Sequence, residues 1–262
     1  MEPIYPALST HDMSYFNGRY YWPHGPMPAI VLMPFTFIFS TNFKLSYLSF
    51  IMVVLLFFVI YKLNFKLGIK DKNSSLWLSF FFVFSNIFLA QIFLVNTYSF
   101  SKIFVIFFLF LALYEFFNQR RYYLIGIFIA MAGMSRVPSY LASTFFALYI
   151  IFYDKYGLKL KKLFYLFSPI IISVLILCLY NLLRFGNILE TGYTYQLVGY
   201  EFFKNAQKIG LFSLRHIPAN LYYFLFKGLE PILINPKTMV LRYPYVHYNP
   251  WGLSIVFTSP LF

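Results

Sequence analysis

Long apolar runs alternate with short polar breaks along most of the chain. Runs bounded by charge or turn residues predict six spans, roughly 46–63, 76–95, 101–117, 122–135, 138–153 and 163–183. The stretch "SRVPSY" divides the fourth from the fifth, and Pro138 is placed to open the helix that follows. A shorter apolar piece, 27–41, carries Pro28 and Pro34 and is too short to cross a bilayer comfortably, so it reads as a juxtamembrane or re-entrant helix. A last apolar run starts at 251. The fold class expected is all-α, a polytopic transmembrane helical bundle with juxtamembrane helices and two outer-face loops. Its parts are an outer-face loop with a juxtamembrane helix (1–45), a six-helix bundle (46–183), a large outer-face loop (184–250) and the start of a truncated transmembrane helix (251–262).

Composition agrees with that pattern. Of 262 residues 60% are hydrophobic, 24% aromatic and only 11% charged, with mean hydropathy +0.68; a soluble domain of this length carries far more charge. The net charge of +13 therefore does not indicate a nucleic-acid binder, because basic residues of membrane proteins collect on cytoplasmic loops. The single cysteine, Cys178, excludes an intrachain disulfide. Met1 is followed by a polar, Pro-rich stretch and not by the apolar core of a signal peptide.

Charge then orients the spans. One set of short loops holds Lys62, Lys66, Lys70, Lys72, Arg120, Arg121, Lys155, Lys159, Lys161 and Lys162; the alternate set holds only Lys44, Lys102 and Arg136. The positive-inside rule makes the first set cytoplasmic and turns 1–45 and 184–250 to the other side. Five of the eight carboxylates (Glu2, Asp12, Glu190, Glu201, Glu230) and all four histidines (His11, His24, His216, His247) fall there too. Asp71 and Asp154 read as members of solvated loop pairs, and Glu115 as an interfacial ion pair with Arg120 or Arg121. Proton pumps and ion-coupled carriers usually place an acid or lysine at mid-membrane; none is seen, which argues against a transporter.

The first outer segment, "HDMSYFNGRYYWPHGPMPAIVLMPF" (11–35), has a tight turn at Asn17–Gly18 and an aromatic cluster, Tyr20, Tyr21 and Trp22. The aromatics fit an interfacial belt or a rigid site wall. Asp12, His11 and His24 are chemically suited to acid–base work or to a divalent metal, but they lack a ligand spacing, and as loop residues they are equally at home in water. No cofactor is assigned. The second segment opens with "YNLLRFGNILETGY" (180–193) and contains an amphipathic stretch near 211–228 suited to lie on a bilayer. Its many cations suit a phosphate carried by a lipid. Arg184, at the end of its span, either snorkels to headgroups or clamps such a phosphate. Glu190 either lines the site or pairs with Arg184 to fix the helix exit.

Four stretches carry a family resemblance: "DMSYFNGRYYWPHGPMPAIVLMPF", "GMSRVPSYL" (133–141), "YNLLRFGNILETGY" and "NPWGLSIVFTSPLF". The first resembles the first outer loop of bacterial membrane glycosyltransferases of the GT-C type, relatives of protein mannosyltransferases and aminoarabinose transferases. The others are similar to later segments of that family. The resemblance implies inverting transfer of a sugar from a polyprenyl-phosphate donor to an acceptor at the non-cytoplasmic face of a bacterial cytoplasmic membrane. Carried over by motif, it assigns Asp12 as catalytic base and Arg19, Tyr20, His24, Arg136, Arg184, Glu190 and Tyr193 as substrate-binding residues. In the family the acidic base lies just beyond a transmembrane helix that precedes the matched segment. That implies a piece of a longer enzyme, with the usual catalytic carboxylate upstream of Met1. A non-catalytic or flippase-like binder of lipid-linked sugar is the alternative.

Overall fold

The computed structural model describes residues 13–84, 91, 93, 96–154, 157–197, 201–211, 213–235, 239–247, 249 and 252–258. The described residues are mostly helical, with 71% in helix. In order the helices are α1 (Met27–Phe39), α2 (Leu45–Lys66), α3 (Lys72–Phe84), α4 (Thr97–Asn118), α5 (Tyr122–Ser135), α6 (Ala142–Phe152), α7 (Lys159–Phe185), α8 (Glu201–Ile209), α9 (Ile217–Leu225) and α10 (Ile255–Thr258).

Among the described residues three helices, α2, α4 and α7, are long and apolar enough to cross a membrane. Two of the other predicted spans, 122–135 and 138–153, give shorter helices. The run 76–95 gives α3, which is described only to Phe84, and 122–135 gives the 14-residue α5. At about 1.5 Å per residue α5 falls well short of a bilayer core of about 30 Å. The run 138–153 splits into a 3₁₀ turn at Val137–Leu141, opened by Pro138, and the 11-residue α6. α1 stays a short helix despite Pro34. Of the run from 251, the described part holds a single helical turn, α10.

Strands qualify the all-α expectation. β1 (Ser14–Phe16) and β2 (Arg19–Tyr21) pair antiparallel in the first outer segment, and β3 (Glu230–Asn235) pairs with β4 (Val240–His247) in the second. Asn17 and Gly18 both have positive φ, 49° and 78°. That is the twist a two-residue hairpin loop needs, and Asn-Gly supplies it at little steric cost.

Helices α2 to α7 form a chain of neighbours: α3 on α2, α2 on α4, α4 on α5, α5 on α7, and α7 on α6. Leu56, Val83, Phe100, Ile103 and Phe104 close one core among α2, α3 and α4. Ile125, Ile129, Phe146, Ile150 and Leu166 close a second among α5, α6 and α7. Between α5 and α7 the contact is backbone-close, with buried Gly126 and Ala130 on α5 spaced four apart. Small residues at that spacing let helices pack where solvent gives no hydrophobic drive. The outward faces remain apolar; Leu160, Phe164, Leu175 and Leu183 of α7 are all exposed.

Polar contacts gather at the two ends of this bundle. At the end rich in basic loops, Arg121 Nε and Nη2 clasp both oxygens of Glu115 at 2.8 and 2.7 Å, the interfacial pair expected. Asp154 is not the solvated loop residue its neighbours suggested. It is buried, accepts from Tyr122 Oη at 2.8 Å and from Lys162 Nζ at 2.7 Å, and so ties α5 to α7. Asp71 does face water, and its Oδ2 accepts from the Ser74 amide at 2.7 Å to cap α3. The Ser74 hydroxyl, donating to the same oxygen at 2.6 Å, and then that amide hold the Asp71 carboxyl below its ordinary pKa.

Candidate functional site: a cationic cavity beneath two joined loops

The opposite end collects the start of α4, the ends of α5 and α7, and the first outer segment. α4 starts where Asn96 Oδ1 accepts from the Ser99 amide at 2.7 Å, and α7 stops where Gly186 turns left-handed. The chain before α1 lies directly on the end of α5. A Cβ added to Gly25 would stand 1.8 Å from the Met134 carbonyl oxygen, so no other residue fits there.

Second-segment residues close over the same end. Ser14 donates to the Gly192 carbonyl at 2.6 Å, the Leu197 amide donates to the Met13 carbonyl at 2.8 Å, and Ser14 bridges Gln196. Gln196 Nε2 reaches Tyr98 Oη at 3.0 Å, which ties the loop to α4. The two outer segments, far apart in sequence, are thus one layer.

Beneath that layer is a cavity of about 540 Å³, lined by His24, Arg136, Asn181 and Tyr193 with Leu177, Leu189 and Leu211. Arg136 follows the last residue of α5. Its Nε donates to Ser101 Oγ at 3.0 Å, its Nη2 to the Tyr98 carbonyl at 3.3 Å, and its guanidinium faces the Tyr98 ring. His24 packs edge-on to that ring at 4.3 Å. Its pKa is lowered to about 4 by burial first, then by Arg136 and more weakly Arg184, with a hydrogen bond to the Pro23 backbone opposing. His24 is therefore neutral at physiological pH, and its Nε2 is buried with no hydrogen-bond partner. Burial also raises the Tyr193 phenol. Among the described residues no carboxylate pairs with Arg136 or Arg184, and none lines this cavity.

A second cavity of about 480 Å³ adjoins the first, sharing Leu189, Thr191, Tyr193 and Leu211 as a common wall. Glu190, Thr194 and Gln207 belong to it alone.

The eight residues singled out in the sequence separate accordingly. His24, Arg136 and Tyr193 line the first cavity; Tyr193 and Glu190 line the second. Arg184 does neither. It donates to the Trp22 carbonyl and lies against the Tyr180, Phe185 and Tyr21 rings at 4.6, 4.7 and 5.2 Å, so it fastens the hairpin to α7. An Arg184–Glu190 pair does not form, because Glu190 Oε1 turns back to accept from the Gly192 amide at 2.7 Å. Arg19 and Tyr20 are exposed on β2, away from both cavities, with Tyr20 against Tyr15. Asp12 lies outside the described residues.

Asn181 and Gln207 are site residues that sequence reasoning passed over. A buried asparagine inside an apolar helix is a usable signal; here Asn181 Nδ2 holds the Ile188 carbonyl at 3.2 Å. Gln207 gave none, for its contacts with Tyr193 and Gln196 carbonyls arise only from tertiary folding. The described residues hold no cluster of three His, Cys, Asp or Glu able to take a metal. Comparison with family models, curated proteins and solved structures finds no match for the chain.

Proposed function

We propose that the chain is a multi-pass membrane glycosyltransferase, or the part of one, that takes a sugar from a polyprenyl-phosphate donor at the non-cytoplasmic face. One observation carries the reading. Three stretches that resemble that family, 13–25, 133–138 and 181–193, converge on a single cavity whose walls are mostly apolar and whose charge is an arginine without an acidic partner among the described residues. A half-buried cation with apolar walls suits an anion on a lipid chain.

In the reaction, an acceptor hydroxyl oxygen attacks the anomeric carbon and forms the new glycosidic bond. The bond from that carbon to the phosphate oxygen breaks, and its electron pair leaves with the lipid phosphate. The hydroxyl proton passes to a carboxylate, the role the resemblance gives to Asp12 or to a residue upstream. Arg136 balances the charge gathering on the phosphate, a role worth most in a site with little water.

The test is transfer by membranes containing the full-length protein and a radiolabelled polyprenyl-phosphate hexose. Label should move from donor to an acceptor fraction, and Arg136→Ala should abolish most of it; undiminished transfer by that variant sinks the proposal. A binder without catalysis is the second reading, favoured by the absence of any described carboxylate from the larger cavity. It predicts Arg136-dependent binding of the labelled lipid with no transfer.

A further inference from the structure

We infer that the smaller cavity is a recognition site for the uncharged, hydroxyl-bearing part of the same lipid-phosphate ligand, with Glu190 and Gln207 as the groups that read its hydroxyls. This rests on Arg136 being the phosphate ligand next door. The two cavities share Leu189, Thr191, Tyr193 and Leu211 in their linings, so they lie within reach of one extended molecule.

The chemistry of the two chambers differs. The first offers a guanidinium and apolar side chains; the second offers acceptors. Glu190 uses Oε1 on the Gly192 amide, and its Oε2 has no partner among the described residues. Gln207 spends Nε2 on the Tyr193 and Gln196 carbonyls at 2.9 and 3.2 Å, which fixes the amide and leaves Oε1 toward other donors. The hydroxyls of Thr191 and Thr194 have no partner among the described residues either. A carboxylate at the wall disfavours a second anion, and no set of metal ligands is present. Charged and neutral acceptors, two hydroxyls and one aromatic wall are what a polyol requires: acceptors for its O–H groups and a flat face for its C–H groups.

The test is direct binding to the full chain in detergent of farnesyl phosphate and of its glucosyl, mannosyl and N-acetylglucosaminyl phosphodiesters. At least one glycosyl ester should bind more tightly than farnesyl phosphate. Glu190→Gln and Thr191→Val should each cut that ester's affinity by roughly tenfold, the scale of one lost hydrogen bond, while binding of farnesyl phosphate holds within about twofold. Arg136→Ala should weaken all four ligands. If no ester gains over farnesyl phosphate, or if Glu190→Gln and Thr191→Val leave the ester unaffected or weaken both ligand types alike, the inference is overturned. If Arg136→Ala leaves farnesyl phosphate binding intact, it is the phosphate assignment that fails.

Discussion

Ser14 and Gly192 stand 178 positions apart, yet Ser14 Oγ donates to the Gly192 carbonyl at 2.6 Å, and both residues are buried. Gly192 has φ +94°, and a Cβ there would press on Phe185 at 2.7 Å. The contact makes one roof of two loops, and the cavity below has its shape only while that roof is closed. Ser14→Ala removes one of two donors to a buried carbonyl, which keeps the Tyr195 amide at 3.1 Å, so it should cost about 0.5–1.5 kcal/mol. Gly192→Ala adds backbone strain of about 1–3 kcal/mol to a steric clash and should cost more. Thermal unfolding in detergent gives both, and a Gly192→Ala protein as stable as the parent would refute the closed roof.

Two arginines 48 residues apart in the same chain end are given different work. Arg184 is turned to the hairpin: it donates to a carbonyl there and lies against three rings. Arg136 holds one hydroxyl and one carbonyl beside the cavity. Arg184→Ala should therefore lower stability, by about 1–2 kcal/mol for a half-buried cation–π site, and affect ligands only through that loss. Arg184→Lys should not restore it, since a compact ammonium cannot stack as a guanidinium does. Arg136→Ala should spare most of the stability and remove lipid-phosphate binding. Paired melting and binding curves separate the two; a melting loss confined to Arg136→Ala would reverse the assignment.

His24 adds a pH signature. Its folded-state pKa is about 4 against an ordinary 6.5, so between those values the unfolded chain binds the extra proton. The stability that neutral His24 contributes is complete above about pH 6.5 and is lost as pH falls toward 4. Melting temperatures of wild type and His24→Asn, compared from pH 7.5 to pH 4, should diverge across that window. Carboxylates titrate in both proteins, so only the difference reports on His24, and parallel curves would contradict a buried neutral imidazole.

Asp154 shows where sequence reading stops. Its neighbours Tyr153 and Lys155 give it the look of a solvated loop acid, while its partners are Tyr122 on another helix and Lys162 beyond a turn. Arg184 is a parallel case, for its receptor is the Trp22 carbonyl 162 positions away. Helices were legible because apolar runs mark them whatever they pack against, and Asn17–Gly18 was legible as a turn because positive φ selects those residues. The strands beside that turn were not, being three residues long and aromatic enough to pass for an interfacial belt. At the site, His24, Arg136, Tyr193 and Glu190 were found through charge placement and resemblance. Arg19 and Tyr20 came with the same motif and fell outside, because a motif carries neighbours along with contacts.

The Asp154 cluster makes its own prediction. Asp154→Ala would leave Lys162 and the Tyr122 hydroxyl without their carboxylate in a buried setting, a change that costs about 3–5 kcal/mol. Asp71→Ala, which removes only an exposed cap, should cost about 1 kcal/mol. Similar melting losses for the two would mean that Asp154 is solvated after all.

The two ends of the bundle finally predict a topology. α2 and α4 run from the cavity end to the basic end and α7 returns, so residues 17 and 187 belong with the cavity while 70 and 157 lie among the lysines. The basic end should face the cytoplasm. Cys178 is the sole cysteine, so Cys178→Ser gives a clean background for one new thiol at each of the four positions, all exposed. A membrane-impermeant maleimide applied to intact cells should label Asn17→Cys and Asn187→Cys, and should reach Lys70→Cys and Gly157→Cys only after permeabilisation. Labelling of 17 and 70 from the same side would mean that α2 does not cross. Labelling of all four in the reverse sense would put the cavity on the cytoplasmic face, where the proposed transfer has no place.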